Sequence, residues 1–451
     1  MIRFLILPCA LALLPEGRGA RTVDVAPPAE FVALGPAWAG SSVNVVANRR
    51  HGVFTHGAAQ FAGYYDPAGY MVLARRNRGD THWQRHRTEH RGSVVDAHNA
   101  ISLAVDGDGF LHVAWDHHGQ PLNYARGRAP GRLELEALQP MVGRDEAKVT
   151  YPEFHVMPDG DLLCLYRDGE SGRGRLILNR YERSTRTWRR VHDNLIDGEG
   201  ARSPYWGAAV DRRGRLHLAW IWRESPDVAT NHDLAYACSD DAGVHWQRVD
   251  GAPMAVPFTL LGSDYAVRVP AGHHLMNSPW VTADADGRPY LCTYWADTPE
   301  SPPQFRAVTY AGDSWQVHDL TQRRQHFTLA GGATKRPPIS RGVLLVDDRA
   351  PEPAVHLVYR DDALGGRIIL RSTDRLGSGR WREQPLTTGS VDAWEPVLDP
   401  VRWQAEAEIH LLVQAASQRD GDDQAAAEAA PTTIGLLQVR PPAAGAVAPG
   451  R

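Results

Sequence analysis

The chain has 451 residues, 43% hydrophobic and 23% charged, a composition that can bury a large core and excludes a disordered or collagen-like polymer. Lys plus Arg number 49 and Asp plus Glu 53, so the formal charge of -4 offers none of the basic excess that a nucleic-acid phosphate backbone demands. Fourteen Trp, fourteen Tyr, 42 Gly and 32 Pro favour many short strands and turns over helices.

In chain order, Met1-Ile2-Arg3 and the apolar run Phe4 to Leu14 read as a signal peptide over residues 1–20, with small residues Gly17, Gly19 and Ala20 near its cleavage point. No later segment reaches the ~18 apolar residues of a membrane span. The expected mature protein is therefore secreted or periplasmic, monomeric and without a membrane partner. Residues 21–440 are expected to form one domain, followed by a flexible Pro/Ala/Gly tail over 441–451. Beyond Cys9 of the leader, Cys164, Cys238 and Cys292 each lie in a separate β-like segment. An odd count without C-x-x-C is no disulfide framework, and these read as buried thiols. His232, six residues before Cys238, keeps a structural metal ion, zinc or calcium, open; no cofactor and no metal ligand is assigned.

One strand pattern returns along the chain: an Asp/Gly turn, then alternating apolar residues ending in an aromatic. The copies are Asp106 to Trp115, Asp159 to Tyr166, Asp211 to Trp220 and Asp286 to Tyr294, with weaker ones at Ala354 to Tyr359 and Glu408 to Val413. Their ends are 51, 54, 74, 65 and 54 residues apart, the period of propeller blades. Between them, Ser239-Asp-Asp-Ala-Gly-Val-His-Trp246 fits an Asp-box turn, S-x-D-x-G-x-x-W. A divergent blade around Gln60 to Arg75 brings the total to seven, so the expected fold is an all-β, seven-bladed β-propeller.

A third element precedes each copy: His98-Asn-Ala-Ile, Tyr151-Pro-Glu-Phe, Ser203-Pro-Tyr-Trp206, Asn277-Ser-Pro-Trp280, Lys335-Arg-Pro-Pro-Ile339 and Trp394-Glu-Pro-Val397. It is read as the start of each innermost strand. In an up-and-down blade that start and the connection after the second strand share one face of the ring, so residues far apart in sequence converge on the central channel.

This sorts the histidines. His112, His217, His356 and His410 recur at one strand position and are read as architectural. His98 and His118 instead sit at a strand start and in the loop after the second strand of one blade, while in the next blade Tyr151 opens the first strand and Arg167 closes the second. Two His, one Tyr and one Arg on one space suit a β-elimination. The C5 proton of a uronic acid is weakly acidic, a guanidinium can neutralise the adjacent carboxylate, and His or Tyr can take that proton and protonate the departing O4. Asn99 and His117 adjoin this set and are read, with Tyr205, Arg223, Asn277 and Arg336, as substrate-binding residues.

The stretches Ser-Val-Val-Asp-Ala-His98-Asn-Ala-Ile-Ser, Trp115-Asp-His-His-Gly, Val-Thr-Tyr151-Pro-Glu-Phe, Tyr166-Arg-Asp-Gly, His192-Asp-Asn-Leu-Ile-Asp-Gly-Glu-Gly and Asn231-His-Asp-Leu resemble the BNR-4 repeat family, whose members include the seven-bladed ulvan lyases of polysaccharide lyase family 25. The resemblance covers about residues 40 to 415. It implies an exported lyase that cleaves an anionic, uronate-containing polysaccharide, ulvan-like, to 4,5-unsaturated uronate ends. It also implies His98 and Tyr151 as the acid–base pair, Arg167 as carboxylate neutraliser and His118 as a supporting or second proton-transfer group. Which of His98 and Tyr151 is the base stays open, because a phenol needs its pKa lowered to act as one. A sialidase-like glycoside hydrolase and a non-catalytic glycan-binding propeller are the competing readings.

Overall fold

The computed structural model describes residues 20–47, 51–421 and 429–442; the expected leader through residue 19 and tail residues 443–451 lie outside these. The strands form seven antiparallel sheets that succeed one another as the blades of a β-propeller. All six copies of the repeated pattern are second strands of blades: Leu111–Trp115, Leu162–Glu170, Leu216–Arg223, Pro289–Trp295, Ala354–Asp361 and Ile409–Val413. The divergent first blade runs from Val53 to Arg91 and has four strands, more than the Gln60 to Arg75 stretch suggests.

The turns explain why the pattern begins with Asp and Gly. Asp106 accepts the backbone N–H groups of Asp108 and Phe110 at 3.0 and 2.9 Å, and Asp211 those of Arg213 and Arg215 at 2.8 and 2.9 Å. Gly109 and Gly214 then turn the chain at φ +87° and +85°, a conformation in which a Cβ is strained. The other carboxylate oxygen of each Asp meets the repeated histidine: His112 Nε2 lies 3.1 Å from Asp106 and His217 Nε2 3.2 Å from Asp211. Their Nδ1 atoms lie 2.7 Å from the hydroxyls of Tyr124 and Tyr236. These fully buried histidines are thus structural.

Alternate residues of facing blades interdigitate between the sheets. Leu163, Leu165, Leu176 and Leu178 of the third blade pack with Leu216, Leu218 and Trp220 of the fourth. The Asp-box forms as expected: Asp241 accepts from Ser239 Oγ and the backbone of His245, and buried Trp246 donates Nε1–H to Gly243 O at 2.9 Å. Ring closure was not read from sequence. Strand Glu30–Ala37 pairs with Thr432–Val439 as the outermost strand of the seventh blade, so the two chain ends share one sheet.

The six elements with Pro or His do open, or lead into, the innermost strands, such as Val149–Val156 and Ser203–Val210. The starts of these strands and the loops after the second strands surround one mouth of the channel. The strand ends, including Val156, Val210, Thr282 and Leu345, surround the other mouth together with the short helix Pro400–Glu406.

Candidate active site

The first mouth holds a cleft of about 140 Å³ whose lining includes His98, His118, Tyr151, Tyr205, Arg223 and Asn277. Lys335, Arg336, Arg341, Arg360 and Glu395 add to it from the sixth and seventh blades.

Asp96 organises the two histidines. His98 Nδ1 lies 2.5 Å from one carboxylate oxygen and His118 Nδ1 2.7 Å from the other, and the rings stack at 4.0 Å with 20° between their planes. Burial opposes the Asp96 charge, but the hydrogen bonds from His118 and His98 outweigh it and hold the carboxyl well below the usual range. Each Nδ1 is thereby committed as the donor to Asp96, which leaves Nε2 as the reactive atom. Burial and then the neighbouring His118 lower the His98 pKa, against the pull of Asp96, so His98 is a neutral imidazole at pH 7.

Tyr151 sits 5.8 Å from His98, ring to ring, and 6.4 Å from Tyr205. Its backbone lies at φ +56°, where the pairing of its strand with the next shifts register between Thr150 and Glu153. That bulge re-aims the ring into the cleft. The two phenols differ sharply. Burial raises Tyr151 above the ordinary tyrosine range despite Arg167 and Arg223 nearby. Burial also pushes Tyr205 up, but Arg223 and Arg167 outweigh it and bring it down to about 8. The reason is direct contact: Arg223 Nη1 donates to the Tyr205 hydroxyl at 3.1 Å, Arg167 Nη1 at 3.2 Å, and Ser171 Oγ lies 2.8 Å away.

Arg167, expected in the cleft, lies one layer behind it. It is 2% exposed, with its guanidinium 5.3 Å from the Tyr151 ring and 5.6 Å from that of Tyr205. Of the two arginines that bind Tyr205, Arg223 is the one that lines the cleft, held by Asn231 Oδ1 at 2.7 Å and by Asn277 Oδ1. Arg336 also lines the cleft, paired with Asp362. Two expected substrate contacts do not line it. His117 is 1% exposed, accepts the Asn123 backbone N–H at 2.8 Å and is pushed by burial to a pKa of about 3. Asn99 is buried with Nδ2 on Ser93 O. Both brace the loops that carry His98 and His118.

Sequence reading missed Asp96, Arg341 and Glu395. Asp96 stands in the quoted Val-Val-Asp-Ala-His98 stretch, and its spacing of two from His98 was the available signal. Arg341 forms a two-pronged pair with Glu395, both contacts at 2.9 Å, and precedes an innermost strand as Tyr151 and Tyr205 open theirs.

Among the described residues, Asp96, His98 and His118 have ligand atoms within 4.8 Å of one another, a spacing that a divalent cation can bridge. Their mutual hydrogen bonds already account for the arrangement. His232 and Cys238 are six residues apart on one extended strand, about 20 Å, and cannot share an ion. Cys164, Cys238 and Cys292 are free and buried.

A model of the BNR repeat-containing family, BNR_4, matches residues 59–323, more than half of the chain. The chain belongs to this family. Among curated proteins, this BNR repeat protein is 27% identical over 223 residues to an ulvan lyase, long isoform, of Alteromonas sp, an overlap of 38% of this chain and 22% of that one. It is 32% identical over 130 residues to an ulvan lyase, long isoform, of Pseudoalteromonas sp. (strain PLSV), 26% of this chain and 13% of that one. A short isoform from Alteromonas sp. (strain LOR) is 26% identical over 225 residues, 38% of this chain and 42% of that one. The chain thus spans less than half the length of the curated relatives it matches. Among solved structures, polysaccharide lyase Uly1 superposes with a TM-score of 0.64 at 15% identity, over 93% of this chain and 98% of that one. A PL25 ulvan lyase bound to GlcA(1-4)Rha3S gives 0.63 at 14% identity, over 89% and 93%. At such identities these two establish the shared fold.

Proposed function

We propose that this BNR repeat protein is a polysaccharide lyase that cleaves a uronate-containing anionic polysaccharide, ulvan-like, by β-elimination. The observation that carries the reading is the pairing, in one cleft, of a neutral imidazole oriented by Asp96 with a protonated phenol and a lining guanidinium. The similarity to ulvan lyases supports the substrate class.

The geometry favours His98 as base. Its Nε2 accepts the C5 proton, the C5–H electrons form the C4–C5 double bond, and the C4–O4 bond breaks. Tyr151, kept protonated by burial, donates its phenolic proton to O4. Arg223 pairs with the substrate carboxylate as charge builds on it, and Arg167 supports that charge from behind through Tyr205. Asp96 steadies the imidazolium that forms on His98, and His118, which shares Asp96, offers a second route for its proton.

The test is incubation with ulvan and other uronate polymers while the ultraviolet absorbance of 4,5-unsaturated uronate is followed. His98→Ala and Tyr151→Phe should each lower the rate by about 10² to 10⁴ with the fold intact. A Tyr151→Phe variant with near-normal rate would move the acid elsewhere.

A further inference from the structure

The innermost strand of the third blade presents three titratable residues to the channel, Tyr151 and Glu153 on one cavity and His155 on the next. The innermost strand of the fourth blade continues beyond Tyr205 with Trp206, Gly207, Ala208, Ala209 and Val210, none of them ionisable. Glu153 and His155 are each 5% exposed, and His155 Nε2 lies 2.6 Å from Glu153 Oε1. The proposed elimination uses neither. Burying such a pair is costly and contributes little to stability compared with an apolar pair.

These groups line successive cavities of the channel. Below the cleft, Tyr151 and Glu153 wall a cavity of about 20 Å³ with Trp206, Ser278 and Arg341. That is room for one water, which needs about 10–15 Å³ and polar partners. Farther down, His155 and His51 line the cavity of about 110 Å³ at the opposite mouth, with ring centroids 5.3 Å apart. A line of exchangeable groups therefore runs from the Tyr151 phenol through the channel to the far face.

We propose that Glu153 and His155 form a proton relay that restores Tyr151 after each turnover. The inference rests on the lyase reading above. Each elimination leaves His98 with the proton from C5 and Tyr151 as a phenolate. The imidazolium releases its proton to solvent at the cleft mouth. A proton from solvent at the far mouth passes by way of His155 to Glu153, and from Glu153 through one water to the Tyr151 oxygen. One proton leaves and one enters, so the resting state returns with no net change. Glu153 and His155 act through Tyr151 and touch no substrate.

The test is stopped-flow detection of unsaturated product from the wild-type protein and from Glu153→Gln, His155→Gln and Glu153→Asp, with excess ulvan. In Glu153→Gln and His155→Gln the first enzyme equivalent of product should form within about twofold of the wild-type rate, and later turnovers at least about tenfold more slowly. Glu153→Asp should recover most of the steady rate, and formate buffer should accelerate the slow phase of Glu153→Gln without changing the burst. A merely structural pair would slow first and later turnovers alike, and that result, or an unchanged steady rate in both variants, overturns the relay. Wild-type protein that releases no unsaturated product instead overturns the lyase reading itself.

Discussion

Asp96 accepts from two imidazoles at once, and each of its oxygens has one of them. An amide in its place offers one acceptor oxygen and one N–H₂ group, so only one histidine can keep its donor bond. Asp96→Asn should therefore leave the fold intact and cost about 10² in kcat, with the loss in turnover exceeding that in KM; a variant with unchanged kcat would show that the histidines orient themselves. Tyr205 sets the opposite limit. Its phenol, drawn to about 8 by Arg223 and Arg167 against burial, is neutral below that pH and an anion above it. The phenolate then competes with the substrate carboxylate for Arg223. The groups facing it are Arg167, Arg223, Ser171 and Tyr151. kcat/KM should thus fall as pH rises through about 8, and fall on the acid side below the ordinary histidine value as His98 gains its proton. In Tyr205→Phe the alkaline limb should move upward while the acid limb stays. An alkaline limb unmoved by Tyr205→Phe would detach Tyr205 from it.

At the scale of elements, the Asp/Gly turns that reveal the repeat also join blades. Gly160 (φ +85°) and Gly107 meet backbone to backbone: Gly107 N–H donates to Gly160 O at 2.8 Å, and a Cβ on Gly160 would lie 2.6 Å from Gly107 Cα. Gly160→Ala should destabilise the protein by about 1–3 kcal/mol and lower Tm without changing the cleft, measured by thermal unfolding. An unchanged Tm would mean that these two turns separate freely. The strand repeat and the strand openers were legible because each is local: alternation, an Asp that caps a turn, an aromatic end. The same logic put His98, His118, Tyr151, Tyr205 and Arg223 in one cleft. It failed where local position is equal but depth differs. Arg167 and Arg223 both lie toward the ends of second strands, yet packing under Tyr151 and Tyr205 holds the first behind the cleft and leaves the second lining it. Asp96 was visible as a residue, but a bridge between His98 and His118 exists only in three dimensions. The closing strand Glu30–Ala37 finds its partner some 400 residues later, beyond the reach of any short pattern.

For the whole molecule, a formal charge of -4 sits beside a cleft lined by Arg223, Lys335, Arg336, Arg341 and Arg360. Under the proposed function, attraction for an anionic polymer would be local to one mouth of the ring, supplied by cations that several blades contribute. The ring holds these groups in register, since the Tyr205 hydroxyl binds arginines from the third and fourth blades and Arg341 binds Glu395 of the seventh. Elimination, hydrolysis and simple glycan binding leave different products from one and the same cleft. The direct measurement is mass spectrometry of what the protein releases from ulvan. A lyase releases oligosaccharides one water lighter than hydrolysis products, ending in a 4,5-unsaturated uronate; products of full hydrolytic mass, or bound polymer returned uncut, would rule out the elimination.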